Sequence, residues 1–313
     1  NTGSPKEQFK ANIEAIMMHL DNEKVAVEAY GSRKDFIECL KNLDFNDLTE
    51  VTDEMWAKYN EIHKKEKVIK PINFTFTEEN MNTGSPKEQF KANIEAIMML
   101  KQLESENKQA TPEQQTILAK YMGWGGLADA FDSRKDSWAT EYSELKDLLS
   151  PEEYSSALAT VLNSHFTSPA IIQAMYKGLD RLGFDGGTIL EPSMGIGNFF
   201  GVLPDSLKNS KLYGVELDDL TGRIAKQLYP EANIQIKGFQ KTTFNSNSFD
   251  VAIGNVPFGI TKIYDNELQC HDLIHDYFFK KTLDKVHSGG IVALVTSMGT
   301  MDKANEEVRK YLA

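Results

Sequence analysis

Four short runs in the second half of the chain carry residues whose types and spacing could do chemistry. Asn255-Val256-Pro257-Phe258-Gly259 closes the apolar run FDVAIGN at 249–255. The carboxamide oxygen of Asn255 and the backbone carbonyl of Val256 can both accept from one amino group, and Phe258 can stack on the ring that carries it. Base flipping would deliver such a ring from DNA. The plainer reading is a strand-ending proline turn with a buried Phe. Glu191-Pro192-Ser193-Met194-Gly195-Ile196-Gly197-Asn198-Phe199 follows the run TILE and precedes a helix. Gly195 and Gly197 allow a sharp turn and a close approach of backbone to ligand. The spacing is not that of a dinucleotide G-x-G-x-x-G, because Phe200 holds the last position. Glu216 ends the run KLYGVE, where an acid can accept from ribose hydroxyls. The plainer alternative is a helix-start charge like its neighbours Asp218 and Asp219. His165-Phe166-Thr167-Ser168-Pro169 reads as a capped helix start, and its interest lies in standing ahead of the other three.

The elements that must position these runs are legible from periodicity. TILE (188–191), KLYGVE (211–216), NIQIK (233–237), FDVAIGN (249–255) and GGIVALVTS (289–297) are short, apolar and often β-branched. Helical spacing fills 168–182, 197–203, 218–229 and 272–286 between them. Alternating strands and helices predict an α/β fold, a mostly parallel sheet with helices on both faces. Ligands of such sheets bind at the carboxyl ends of the strands, which is where three of the four runs fall, HFTSP standing ahead of the first strand.

The front half reads as helical. Residues 1–18 and 82–99 are identical, NTGSPKEQFKANIEAIMM, at an offset of 81. Solenoid repeats recur several times and drift, so this pair reads as a recent duplication rather than architecture. Each copy makes one amphipathic helix, capped at Ser4 or Ser85 with Pro5 or Pro86 at the first position. The second copy should run on to about 108. Helical stretches at 33–43 and 46–66 and a short strand at 72–76 lie between the copies. Thr111-Pro112-Glu113 and Ser150-Pro151-Glu152-Glu153 are further helix starts. Tyr121-Met122-Gly123-Trp124-Gly125-Gly126-Leu127 is an ordered loop, either a corner with Trp124 wedged into the core or a contributor to the mouth of a site. Trp56 and Tyr59 read as packing residues, Lys64, Lys65 and Lys67 as a solvated face, and Met17, Met18, Met98 and Met99 as core filler. His271 and His275 stand four apart beside Asp272 and Asp276. With no third ligand signalled, they read as one face of an amphipathic helix, and no metal is expected. The expected organisation is 1–81, a helical segment of unassigned role; 82–164, a helical region with the glycine-tryptophan loop; and 165–313, a catalytic core.

Taken in order, the motifs resemble the S-adenosylmethionine-dependent methyltransferases that act on amino groups, in the N6-adenine DNA class. HFTSP resembles the family's leading segment, LEPSMGIGNF its cofactor loop, YGVELD its ribose-binding acid and FDVAIGNVPFG its catalytic N-P-P-[FY] segment. The order is similar to the gamma arrangement of type I and type IIG modification enzymes. From YMGWGGLADAF onward the chain looks most like the methylase part of large helicase–methylase proteins of mobile elements. The resemblance covers roughly 82–313. It implies a Rossmann-like core and S-adenosylmethionine held by Phe166, Thr167, Glu191, Ser193, Gly195, Gly197, Asn198, Glu216 and Gln240. It implies catalysis at Asn255, Val256, Pro257 and Phe258. Two positions depart from the family. Val256 replaces the first proline of N-P-P-[FY]. Lys237-Gly238-Phe239-Gln240 carries a glutamine where the family has an acid facing the cofactor's adenine. The family's last two strands and a target-recognition domain are not in the sequence, so a piece of a larger protein is expected.

Length and charge bound these readings. The chain has 313 residues, a net charge of −12 and two cysteines, Cys39 and Cys270, both expected as buried thiols. Two cysteines exclude a disulfide scaffold and a cysteine-rich zinc site. No apolar run approaches ~18 residues, so no membrane partner is expected and the setting should be cytoplasmic. Residues 1–150 carry 19 basic and 27 acidic side chains, and residues 151–313 carry 15 and 19. Phosphate backbones are gripped by Lys and Arg, so DNA should be held mostly through segments outside this chain, including a helicase domain of the same parent. The competing readings are a catalytically inactive cofactor-binding scaffold, and a methyltransferase acting on protein glutamine or RNA.

Overall fold

A computed structural model describes residues 72–76, 84–161, 167–302 and 306–312. The duplicated residues 1–18, the stretches 33–43 and 46–66, Trp56, Tyr59, the Lys64–Lys67 cluster, Cys39, His165 and Phe166 lie outside them. The chain divides into two compact units at Lys70/Pro71, and all the described residues belong to the second.

The helical front of this unit begins with α1, Pro86–Ser105, closed by a reciprocal cap between Ser85 and Glu88. Phe90, Asn93, Ile94, Ile97, Leu100 and Leu103 fall on one face and are buried. α2, Pro112–Leu118, is capped by Thr111 and Gln114 in the same way. Between α2 and α3, Ala139–Leu148, the Tyr121–Leu127 loop folds under the front. Trp124 is fully buried there, edge-on to Tyr121 and Phe131. Asn93 ties the loop to α1: its amide donates to Gly123 O at 2.6 Å and its oxygen accepts from Met122 N at 2.8 Å. α4, Pro151–Thr160, is capped by Ser150 and Glu153.

After α5, Pro169–Arg181, come β1 (Thr188–Glu191), α6 (Asn198–Gly201), β2 (Lys211–Glu216), α7 (Asp219–Leu228), β3 (Asn233–Ile236) and β4 (Phe249–Asn255). A hairpin of β5 (Lys262–Asp265) and β6 (Cys270–Leu273) leads into α8 (Ile274–Lys285), β7 (Val286–Val295) and α9 (Glu307–Leu312). The main sheet has the order β3-β2-β1-β4-β7, and all its pairs are parallel. This is the expected Rossmann-like sheet. The strand order reverses between β1 and β4, where such sheets open a ligand crevice. Strand alternation serves two cores. Ile189, Val251 and Ile253 join the helical front and α7 in one apolar cluster. Leu190, Ala252 and Val256 join Phe239, Tyr277 and Phe278 in the other.

The structure corrects several expectations. Residues 72–76 form no strand, although Phe74 N and Phe76 N donate to Leu228 O and Gly201 O at 2.8 Å. The helix expected over 272–286 starts at Ile274, and its would-be first turn is β6. His271 therefore sits on a strand and His275 on a helix, so they share no face. No group of three or more potential metal ligands occurs among the described residues. Cys270 is half-buried in the hairpin rather than buried, and Met98 is exposed because it falls on the outer face of α1. The expected helix 197–203 shortens to Asn198–Gly201, and β7 begins three residues early. No described helix is long and apolar enough to cross a membrane.

The hairpin is held from below by buried charge. Lys281 and Lys285 are fully buried on α8. Lys281 Nζ lies 2.9 Å from Asp265 Oδ2 and also meets Glu267, while Lys285 Nζ lies 2.5 Å from Glu267 Oε1. Tyr277 donates to Asp265 at 2.9 Å. Removing one partner of such a network leaves an uncompensated buried charge.

Trp124 is the largest fully buried side chain of the front. Trp124→Ala should cost about 3–5 kcal/mol of stability, read as a lowered urea midpoint.

Candidate active site

The carboxyl ends of β1, β2 and β4 surround a cavity of about 330 Å³. Thr167, Glu191, Ser193, Gly195, Asn198, Glu216, Gln240 and the run Asn255–Phe258 all line it. The structure thus brings seven of the nine predicted cofactor residues together with all four predicted catalytic ones. Of the other two, Gly197 does not line the cavity and Phe166 lies outside the described residues.

β1 delivers Glu191 to the crevice, and the chain then turns over the strand ends. Gly195 (φ +56°) and Gly197 (φ +88°) adopt left-handed conformations that L side chains rarely take. Their reasons differ. A Cβ on Gly195 would meet open space, so its glycine serves the turn alone. A Cβ on Gly197 would lie 2.4 Å from a ring carbon of Tyr229. The side-chain position of Gly197 is therefore filled by a buried tyrosine ring, and the residue stands behind the cavity wall.

Glu216 holds this loop in place. Its Oε2 accepts from Gly195 N and its Oε1 from Asp218 N, both at 2.8 Å. Burial pushes its pKa up to about 7, against the backbone hydrogen bonds that favour the anion and with the Asp218 charge beside it. Glu191 is buried deeper, and its pKa is raised by desolvation and then by Glu216. Glu191 Oε2 has no hydrogen-bond partner among the described residues, and neither has the buried Asn198 Oδ1. Two buried polar oxygens without a protein partner on one apolar-walled cavity call for a ligand that hydrogen-bonds to them.

The β4 end brings Asn255 and its neighbours to the same cavity. Ser193 Oγ donates to Asn255 O at 2.7 Å, fixing the β1 loop to the end of β4. Val256, where the related segments have proline, donates its backbone N–H to Val295 O at 3.1 Å. Proline has no such donor. The valine replaces ring rigidity with one more ladder bond to β7, and its side chain is buried in the second core. Pro257 and Phe258 are half-buried on the cavity wall.

Several lining residues lie outside the four motifs. Ile263 of the hairpin and Ile274 and Phe278 of α8 form an apolar wall with Phe239. Tyr121, Gly123, Ser156, Ala159 and Thr160 of the helical front line another side. Both readings of the glycine-tryptophan loop therefore hold at once: Trp124 fills the core while Tyr121 and Gly123 reach the cavity. Asp218 is the N-cap of α7, accepting from Thr221 N at 2.9 Å, and it also lines the cavity.

Fold and site together define a Rossmann-like α/β core with a cavity at the carboxyl ends of its parallel strands. No protein-family model matches the chain. Defense against restriction protein B of Escherichia phage P1 is 27% identical over 223 residues, covering 68% of this chain and 8% of that protein. Modification methylase CviBIII of Paramecium bursaria Chlorella virus NC1A is 26% identical over 115 residues, covering 35% of this chain and 30% of that enzyme. The chain thus matches less than a third of the length of either relative. Among solved structures, a proposed class I S-adenosylmethionine-dependent methyltransferase of Listeria monocytogenes is similar, with a TM-score of 0.43 and 14% identity, over 72% of this chain and 78% of that one.

Two outcomes are expected. Gly197→Ala should lower the melting temperature, by at least ~1 kcal/mol of stability for the left-handed backbone alone, with the Tyr229 contact adding to it. Glu216 binds its proton more tightly folded than unfolded, so it contributes stability at low pH that is lost as pH rises from 4.5 through about 7. Melting temperatures between pH 5 and 8 should therefore fall more steeply for the wild type than for Glu216→Gln.

Proposed function

We propose that this chain carries the catalytic core of an S-adenosylmethionine-dependent methyltransferase acting on the N6 amino group of adenine in DNA. The observation that carries the reading is the meeting of Asn255-Val256-Pro257-Phe258 with Glu191, Glu216 and the glycine loop around one cavity. The buried acceptors Glu191 Oε2 and Asn198 Oδ1 suit the cationic amino-acid end of the cofactor, and Glu216 suits its ribose hydroxyls. Thr167, Ser193, Gly195 and Gln240 complete the residues that would hold it. When bound, S-adenosylmethionine supplies an electrophilic methyl group, so no covalent enzyme intermediate is required.

The work left to the protein is alignment and charge handling. Asn255, through its side-chain oxygen, and Val256, through its backbone carbonyl, accept from the acceptor amine and stabilise the positive charge that grows on its nitrogen. Phe258 stacks on the ring, and Pro257 fixes the turn between the two. The apolar wall of Ile263, Ile274 and Phe278 excludes water from the amine. The similarity to a modification methylase and to a phage protein of defence against restriction favours DNA over protein or RNA as substrate. With 15 basic against 19 acidic residues in 151–313, DNA is held mainly by other segments of the parent protein.

The test is transfer of a radiolabelled methyl group to duplex oligonucleotides containing either adenine or N6-methyladenine. Label should enter only the adenine duplex. Asn255→Ala should lower the rate about 100-fold or more while leaving cofactor affinity within a factor of two or so, as for loss of a transition-state hydrogen-bonding group. Label in RNA or protein but not DNA, or an unchanged rate for Asn255→Ala, would overturn the assignment.

A further inference from the structure

The helical front touches the cavity through residues that none of the four motifs contains. Ser156, Ala159 and Thr160 stand on α4, and Tyr121 and Gly123 on the loop that Asn93 holds. Their contact with the sheet is polar and continuous. Ser156 Oγ donates to Asp218 Oδ1; Asp218 N donates to Glu216 Oε1; Glu216 Oε2 accepts from Gly195 N. A serine hydroxyl on the front is thus three hydrogen bonds from the glycine loop. Asp218 is 4% exposed and has no freedom to turn away, since its other oxygen accepts from Thr221 N and Oγ1.

Outside the cavity, Arg223 of α7 fastens the front in place. Its guanidinium lies 3.0 Å from Glu104 Oε2 of α1, contacts Glu153 Oε1 of α4 and lies 3.0 Å from Asp219 Oδ2 on its own helix. Glu153 also meets Lys101 of α1 at 2.7 Å. Gln115 of α2 adds bonds to Gln227 O and Leu228 O at 3.0 and 3.2 Å.

We propose that α4 and the Tyr121–Leu127 loop are the second wall of the S-adenosylmethionine pocket, and that Ser156 is a positioning residue acting on the cofactor through Asp218 and Glu216. This rests on the cofactor reading above and assigns new residues to it. The front is then part of the binding site rather than a neighbouring domain. Ala159 and Thr160 face the ligand directly, and Arg223 acts only by keeping α4 docked.

The test uses the full chain and titrates S-adenosylhomocysteine by calorimetry, with melting temperatures measured in parallel. Ala159 is exposed on α4, so Ala159→Trp should fold normally and weaken binding at least tenfold, as should Thr160→Trp. Ser156→Ala should weaken it about fivefold, and Ser156→Thr, which keeps the hydroxyl, should restore it. Arg223→Met should weaken binding without touching the cavity, and Arg223→Lys should recover part of the loss. Addition of S-adenosylhomocysteine should also slow amide exchange in 151–160 and 121–127. Two tryptophan variants that melt like the wild type and bind with unchanged affinity would overturn the second wall. Equal binding by Ser156→Ala would overturn the positioning role. A wild-type chain that takes up no S-adenosylhomocysteine would overturn the cofactor reading itself, and this inference with it.

Discussion

The site depends on one carboxylate that is expensive to keep ionised. Glu216 stands at the end of β2, largely out of water, with Asp218 adding negative charge nearby. It is tolerated because two backbone N–H groups converge on it, from Gly195 and from Asp218. The same two bonds do structural work. One sets the glycine loop after β1, the other sets the entry to α7. A neutral side chain at 216 would relieve the electrostatic cost and loosen both. Loop, strand end and helix start are therefore coupled through a group that its surroundings hold at an electrostatic disadvantage, which a cationic or hydroxyl-bearing ligand would offset.

The surrounding fold supplies what that carboxylate cannot. Parallel strands buried on both faces need two separate cores, and the alternation Ile189/Leu190 and Val251/Ala252 divides their side chains between them. One core includes the helical front, so the front bears on the sheet through apolar packing as well as ion pairs. The other reaches Val256, whose extra ladder bond to Val295 keeps the turn at 255–258 aligned with β7. The hairpin, wedged between that turn and α8, gains its rigidity from Lys281, Lys285 and Asp265 rather than from a core of its own.

Much of this is legible in the order of residues. The five main strands stand out because strands buried on both faces read as short β-branched runs. Glu191, Glu216 and Asn255 are legible because each ends such a run. The hairpin is not: Lys262–Asp265 and Cys270–Leu273 are half-exposed and charged, so they show no apolar alternation. The four-residue spacing of His271 and His275 looks helical only because the strand–helix junction between them has no local marker. Gly197 reads as room for a ligand, and no local pattern reveals that Tyr229 fills its side-chain position. Ser156 and Asp218 are 62 positions apart, a separation at which spacing carries no information. Local physics marks strands, caps and turns; contacts made by the closing of the fold leave no trace in the neighbourhood of either partner.

The apolar cluster that runs from Phe90 and Trp124 to Ile189 and Val251 has a consequence for inheritance. A boundary drawn between helices and sheet would cut through a shared interior and expose Ile97, Leu118, Ile224 and Leu228 on its two sides. The smallest portion that recombination could transplant intact is therefore front and sheet together. Segments outside this core can be exchanged at its periphery, while the seam between α1, α2 and α7 admits no crossover.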